Sequence, residues 1–325
     1  MTDSPLLSII ITAYTTERLN DIYELLKSIK IQTYLHTETL FVVEGSKELF
    51  EKISTYGIEN NIPNLKVLFN DGEPGLSAAR NVGIKQAGGD IIAFVDDDVL
   101  LYPDWAGKMV MAYNDDSIIG VTGSAIPLWE DPSMSWFPEE FYWIISCSAW
   151  FDDKKVRKVR NAWGMNMSFR REAFEKAGLF KTNFGLTNSA RKRWFDPPSE
   201  DVDFSIRVKS LTKKSIYFLP SVRVKHKAYK YRLRQRFILQ RSFSVGYQRF
   251  MLKKLYKNIE GKTKVLNQER SLLKRIIVKL LPGILSGVFI HPLYSLRRFR
   301  VMFTSLTFIS IGYGYGYITS FKNKL

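Results

Sequence analysis

Short unbroken apolar runs alternate with stretches of helical apolar spacing along the N-terminal third of the chain. Leu6–Thr12 (LLSIIIT) reads as a fully buried strand, and Leu19, Ile22, Leu25, Leu26 and Ile29 recur at the spacing of one helix face. Thr39–Val43 is a second strand. A helix between two strands predicts a parallel pair joined by a right-handed crossover. Leu65–Phe69 reads as a third strand, Ser77–Ala87 as a helix opened by a serine cap, and Asp90–Val95 as a fourth strand. The alternation predicts a doubly wound α/β sheet, in which ligands bind outside the carboxyl ends of the strands. Tyr14, Glu44 and Asp96–Asp98 fall at such ends.

The middle of the chain is less regular. Ile118–Ala125 and Tyr217–Val224 read as strands, while Trp129–Trp150 is dense in Trp, Phe, Tyr and Pro, which suits core packing or the lining of a substrate cleft. Asn161–Arg171 sets a glycine within an apolar-polar alternation, a sign of a bulge or a close backbone approach. Ser199 precedes Glu200-Asp201-Val202-Asp203, a helix start with an acidic first turn. From Tyr231 the pattern turns helical and basic. Ile276–Leu296 and Val301–Phe321 then form two apolar stretches of the length that crosses or enters a bilayer, with Arg297-Arg298-Phe299-Arg300 between them and Lys322 and Lys324 at the end. Were both stretches to cross, the arginines would lie on the far side, against the positive-inside tendency, so re-entrant or interfacial helices are equally expected, and a buried helical hairpin in a soluble protein is the alternative to membrane contact. Gly312, Gly314 and Gly316, with tyrosines between, suggest an interfacial end or close helix packing.

Composition adds two constraints. The chain has 325 residues, 45% of them hydrophobic, enough for one large domain or a domain with an appendage, and its single cysteine, Cys147, forms no internal disulfide, as in a reducing compartment or at a cytosolic membrane face. The short polar start, Met1 to Pro5, leads directly into a strand-like run, from which no cleaved signal is expected. The net charge of +16 is concentrated: Arg207 to Lys257 holds sixteen Lys or Arg and no Asp or Glu. Nucleic acid, phosphorylated substrates and anionic headgroups would all be drawn to such a stretch.

The candidate chemistry centres on Asp96-Asp97-Asp98, delivered by the run Ile91–Val95. Three adjacent carboxylates repel one another, and a hard divalent cation, Mg2+ or Mn2+, is the usual compensation; a solvated turn is the alternative. Glu200-Asp201 offers a base, or merely charges that favour a helix start. His226, after a predicted strand, is either structural or a metal ligand.

Tyr14, Glu44, the segment Gly75-Leu76-Ser77-Ala78-Ala79-Arg80-Asn81-Val82-Gly83, the aspartate triplet and Glu200-Asp201, in that order, resemble a family 2 glycosyltransferase with the GT-A fold, a Rossmann-like mixed sheet with flanking helices. The resemblance covers roughly Leu6 to Lys230. It implies a catalytic domain over 1–230, with a nucleotide-binding half to about residue 98 and an acceptor half over 99–230, followed by basic amphipathic and apolar membrane-associated helices over 231–325. It implies that Tyr14 and Glu44 bind the nucleotide base, Glu44 standing where Asp is commoner, and that Asp71 or Arg80 completes the base and phosphate region. Asp96 would contact ribose with Asp97 beside it, and Asp98 a divalent cation, Mn2+ or Mg2+, with His226 as a further ligand. Asp201, or alternatively Glu200, would be the general base of an inverting displacement. Trp163 and Asn166 would line the sugar or acceptor side.

The segment Trp136–Trp143 and the tail are also similar to archaeal transferases that build dolichyl phosphate-linked glycans, which implies glycan biosynthesis and protein glycosylation. Processive polysaccharide synthases carry Gln-x-x-Arg-Trp, which has no match near Gln235 to Arg241. The expectation is therefore a non-processive, membrane-associated enzyme with a cytoplasmic catalytic domain. It would move a sugar from a nucleotide sugar, a UDP-sugar foremost, to a polyprenyl-phosphate-linked or glycan acceptor, with no nucleic-acid partner. The rival readings are a nucleic-acid or anionic-surface binding protein and a catalytically silent scaffold of the same fold.

Overall fold

The computed structural model of the protein describes residues 4–148, 155–185, 199–256 and 267–322. Trp150 and Lys324, noted above, lie outside the described residues. The first six elements are β1 (Leu7–Ala13), α1 (Leu19–Lys30), β2 (Thr37–Glu44), α2 (Lys47–Glu59), β3 (Leu65–Asn70) and α3 (Leu76–Gln86). β4 (Ile91–Asp96), β5 (Val99–Leu101), α4 (Trp105–Met111), β6 (Ile118–Trp129), β7 (Arg157–Val159), β8 (Asn166–Arg170), α5 (Arg171–Ala177), α6 (Glu200–Thr212) and β9 (Ser215–Ala228) follow. The described strands form one nine-stranded sheet in the order β3-β2-β1-β4-β8-β6-β9-β5, with β7 on β9.

β1, β2, β3 and β4 are mutually parallel, whereas β8 runs antiparallel to β4 and to β6. The parallel pairing of the first two strands is as the sequence predicts. β1, β2 and β4 are buried along almost their whole length, as strands covered on both faces must be. Ile22, Leu25, Leu26 and Ile29 of α1 pack into the same core as Leu7, Ile9 and Ile11, so the helical spacing corresponds to the buried face.

Two local expectations need correction. The helix α2 was not foreseen between the second and third strands, although Ser46 caps it and its buried face is only Leu49, Ile53 and Gly57. Three small or widely spaced apolar residues give a weak periodic signal. The α3 N-cap is not Ser77 but Gly75, at φ 129°, a backbone conformation open to glycine; Ser77 lies inside the first turn and donates to the Phe184 carbonyl at 2.8 Å.

The described residues cluster into two compact units. The first comprises 4–126, 155–185 and 199–226; the second comprises 127–148, 227–256 and 267–322. In the second unit, the aromatic segment supplies Phe137, Phe141, Tyr142, Ile144 and Ile145 to an apolar cluster with Ile276, Leu280, Ile284, Val301 and Met302. Its helices are α7 (Gln235–Leu255), α8 (Asn267–Arg275), α9 (Leu281–Gly287) and α10 (Pro292–Lys322), with a π-helical turn over Ile276–Leu280. The arginine group does not separate two apolar helices. Pro292 opens the 31-residue α10 and Arg297–Arg300 lie within it, because proline suits a helix start and nothing in Arg-Arg-Phe-Arg breaks one. Among the described residues, no helix is long and apolar enough to cross a membrane.

Candidate active site

Strand register decides which side chains share the carboxyl edge of the sheet. Thr12 of β1 pairs with Asp96 of β4, Ala13 with Val43 of β2, and Glu44 with Asn70 of β3. Tyr14, Glu44, Asp71 and Asp96 therefore end four neighbouring parallel strands. Asp71 is exposed, Tyr14 and Glu44 are half-buried, and the Gly75 N–H at the start of α3 donates to Glu44. Burial outweighs that hydrogen bond and raises the Glu44 carboxyl above its ordinary range.

The chain turns through Asp97 and Asp98 into β5, which pairs with β9 so that Val99 faces His226. That pairing brings a histidine more than a hundred residues away beside the acidic turn. His226 Nε2 lies 3.2 Å from Asp98 Oδ1 and 3.7 Å from Asp96 Oδ2. Asp96, Asp98 and His226 each offer one ligand atom, all within 4.8 Å of one another. Two carboxylate oxygens and an imidazole nitrogen in a mostly buried setting suit Mn2+ or a similar borderline-hard ion. Burial works against ionising Asp96, but the hydrogen bond with His226 and the charge of Arg80 together hold its carboxyl below the usual range.

Two arginines balance the remaining carboxylates. Arg18, at the turn after β1, reaches Asp97 Oδ1 at 2.7 Å and Asp98 Oδ2 at 3.1 Å. Burial nonetheless dominates at Asp97: with Asp98 and Asp96 adding to it against Arg18, its carboxyl is pushed up to about 7. Arg80, on α3 and 2% exposed, contacts Glu200 Oε1 at 2.6 Å, Asp96 Oδ1 at 3.3 Å and the Gly164 carbonyl at 3.2 Å. One guanidinium thus ties the end of β4 to the start of α6. A Cβ on Gly164 would come within 2.9 Å of that guanidinium, so a glycine admits the arginine there.

Glu200 and Asp201 stand differently. Glu200 is buried against Arg80, and burial, reinforced by Asp201 and opposed by Arg80, raises its carboxyl to about 7. Asp201 is only partly buried; its Oδ2 accepts from the Gly164 N–H at 3.1 Å and its Oδ1 from the Val202 N–H at 2.7 Å. The two backbone donors fix the orientation of its carboxylate while leaving it the more accessible of the pair.

The sequence profile described as "Glycosyl transferase family 2" matches residues 8–178, more than half of the chain. The chain belongs to glycosyl transferase family 2. The glucosyl-dolichyl phosphate glucuronosyltransferase of Haloferax volcanii is 28% identical over 315 residues, 96% of each chain. The glycosyltransferase AglE of the same organism is 30% identical over 126 residues, 37% of this chain and 39% of that protein. Among solved structures, the mannosyltransferase PcManGT of Pyrobaculum calidifontis in complex with GDP-Man and Mn2+ superimposes with a TM-score of 0.63 over 96% of this chain and 88% of that one, at 16% identity. That likeness supports the GT-A architecture of a mixed sheet with flanking helices.

Within this family 2 framework, Trp163 and Asn166 form an isolated antiparallel bridge, but only Trp163 is partly exposed, its ring edge against Phe218 at 5.6 Å. Asn166 is fully buried: its Oδ1 accepts from Trp105 Nε1 and its Nδ2 donates to the Val222 carbonyl, both at 2.9 Å. Its amide cross-links the core beneath the edge instead of facing a sugar. Arg18 escaped the sequence reading altogether. The signal was indirect, since three adjacent aspartates need a countercharge and Arg18 is the first cation after a strand end on the same edge.

Proposed function

We propose that this family 2 enzyme is an inverting, metal-dependent, non-processive transferase. It moves a sugar from a nucleotide sugar, a UDP-sugar foremost, to a polyprenyl-phosphate-linked or glycan acceptor at a membrane surface, its catalytic residues on the cytoplasmic side. The observation that carries the reading is the convergence, on one sheet edge, of the Asp96, Asp98 and His226 donor set with the Asp201 carboxylate, linked through Arg80 and Glu200. Support for the acceptor class comes from the Haloferax relative named for glucosyl-dolichyl phosphate, and support for the metal from the Mn2+ bound by the Pyrobaculum relative. That second relative holds a GDP-sugar, so the donor base is the finest part of the proposal.

Asp98, Asp96 and His226 would hold the divalent cation, whose chemistry is to stabilise the charge that develops on a departing nucleoside diphosphate. Tyr14, Glu44 and Asp71, at the ends of β1, β2 and β3, take the base, and Asp96 and Asp97 the ribose side. Asp201 is the general base. Its carboxylate, oriented by the Gly164 and Val202 N–H groups, accepts the proton of the acceptor hydroxyl as the hydroxyl oxygen attacks the anomeric carbon from the face opposite the diphosphate. Glu200 is the positioning partner, held by Arg80. Trp163 offers a ring face or edge to the sugar or acceptor, a common carbohydrate contact.

The test is nucleoside diphosphate release by the purified chain from a panel of UDP- and GDP-sugars, with and without Mn2+, in the presence of polyprenyl phosphate or lipid-linked glycans. Acceptor-dependent release from one donor that stops on chelation supports the proposal and names the sugar. Release unaffected by chelator would remove the metal from it, and no release from any donor would remove the transferase.

A further inference from the structure

Among the described residues, the least water-compatible surface is the knuckle between α9 and α10. Phe289 is 92% exposed, Ile290 and Leu293 72% and Leu296 63%, with Val288 and Tyr294 beside them, all within nine consecutive residues. Scattered exposed apolar side chains are ordinary, but a contiguous projection of this kind marks an interaction surface.

The knuckle is built, not frayed. The Gly287 carbonyl accepts from the N–H groups of Ile290 and His291 at 3.2 and 2.7 Å, and the His291 carbonyl accepts from Ser295 N–H at 3.0 Å. Ser295 is buried against Gly287, where a Cβ would lie 2.7 Å from the serine hydroxyl, so the two helix ends are drawn tightly together. Ile284 on one side and Val301 and Met302 on the other anchor the turn in the apolar cluster of the helical unit. A pre-formed turn that holds its largest apolar side chains outward has a face shaped for an apolar medium.

The charge around it selects the medium. Lys279 precedes the knuckle, Arg297, Arg298 and Arg300 follow it, and no Asp or Glu occurs after Glu269. The Arg298 guanidinium lies over the Tyr294 ring at 5.3 Å, at the border between the apolar tip and the basic collar. An apolar tip whose own flanking helices carry cations and no acid, with Glu139 and Glu140 of the aromatic segment paired to Arg275, is complementary to acyl chains beneath anionic headgroups.

We infer that Val288–Leu296 inserts into one leaflet of an anionic bilayer while Lys279, Arg297 and Arg300 bind the headgroup phosphates. The inference rests on the membrane-surface part of the proposal above and names the residues and depth of that contact. The chain is then monotopic at this point, entering and leaving on the same side.

The experiment is cosedimentation of the full chain with sucrose-loaded vesicles of phosphatidylglycerol and phosphatidylcholine, or of phosphatidylcholine alone. The wild type is expected to partition to the anionic vesicles, less so as salt rises. The triple variant Phe289→Ser, Ile290→Ser, Leu293→Ser should partition about tenfold or more weakly. The variant Arg297→Glu, Arg300→Glu should lose the preference for anionic lipid. Circular dichroism and thermal unfolding verify that each variant is folded. Unchanged partitioning of the folded triple variant overturns the inference, as does a lipid-free dimer of the wild type that the triple variant abolishes. In Phe289→Trp, quenching by shallow brominated acyl chains is expected; quenching at the bilayer centre alone overturns insertion into one leaflet. Donor turnover by the triple variant in detergent is measured in parallel. Turnover with unchanged vesicle binding sinks the docking inference alone, and knuckle-dependent binding without turnover in any variant sinks the transferase alone.

Discussion

The two units of the protein solve opposite problems. The sheet unit buries charge: Asp97, Asp98, Arg80, Glu200 and Asp203 are all inside, and Arg18, Arg80, Lys181 and Arg207 are placed to answer the carboxylates. The helical unit exposes apolar surface and concentrates cations with few acids to answer them. Compensated buried charge is costly to assemble and is kept where a highly charged ligand must be met at fixed geometry. Exposed apolar surface is kept where the surroundings are not water. The contrast places the proposed chemistry in the first unit and the proposed membrane contact in the second.

The largest effect that would break this division is at Asp98. Asp98→Asn removes one of three clustered donor atoms and leaves His226 facing an amide, so metal-dependent donor binding should vanish, read by titration calorimetry with a nucleotide sugar and Mn2+. Donor binding at wild-type affinity would place the cation elsewhere. Asp201→Asn should spare donor binding yet lower turnover by about a hundred- to ten-thousandfold, the usual worth of a positioned general base. Retained transfer would move the base to Glu200 or away from α6 altogether.

Arg80→Met tests whether the sheet unit depends on its buried countercharge. It strands Glu200 and exposes Asp96 to an unbalanced neighbour, and a loss of about 3–5 kcal/mol is expected from chemical denaturation, as for a buried pair with one partner removed. A smaller loss would mean that Glu200 simply takes up a proton. That proton also carries a pH signature. The folded-state pKa of Glu200 is raised from 4.5 to about 7, so between those values the folded protein binds more protons than the unfolded chain. Its contribution to stability is complete below about pH 4.5 and is lost as pH rises through about 7. Glu200→Gln should flatten that decline in thermal unfolding, and a decline unchanged by the substitution would assign it to Asp97 instead.

How far the sequence disclosed these sites depended on distance along the chain. Asp96–Asp98 and Glu44 were legible because a buried apolar run ends at each, so position on the strand fixes position at the edge. The pairing of His226 with Val99 and the reach of Arg18 to Asp97 arise from register and tertiary packing, which local pattern does not encode. Asn166 misled for the same reason. Its neighbours mark a recognisable segment, but only the packed structure shows its amide spent between Trp105 and Val222. In the helical unit, hydropathy gave the apolar stretches yet not their joining, because Arg297–Arg300 read as a boundary by charge while the backbone has no reason to stop there. α2 was lost to a thin apolar face.

The smallest effects are the sharpest probe of how the helical unit is held. α7 and α10 approach so closely that a Cβ on Gly246 would meet the Ile309 carbonyl oxygen at 2.0 Å, and one on Gly312 the Phe243 carbonyl oxygen at the same distance. Backbone cannot yield as a flexible side chain does, so Gly246→Ala should cost about 1–3 kcal/mol in thermal or denaturant unfolding as the helices part. Gly314 lies two residues beyond Gly312 on α10, and a Cβ there meets nothing within 4 Å. Gly314→Ala should therefore stabilise α10 by up to about 1 kcal/mol through helix propensity alone. Opposite signs for two glycine-to-alanine changes in one helix pair would show that close packing, and not glycine's flexibility, is what Gly246 provides. Destabilisation by both would show instead that the Gly-Tyr end of α10 meets a further surface through Gly314.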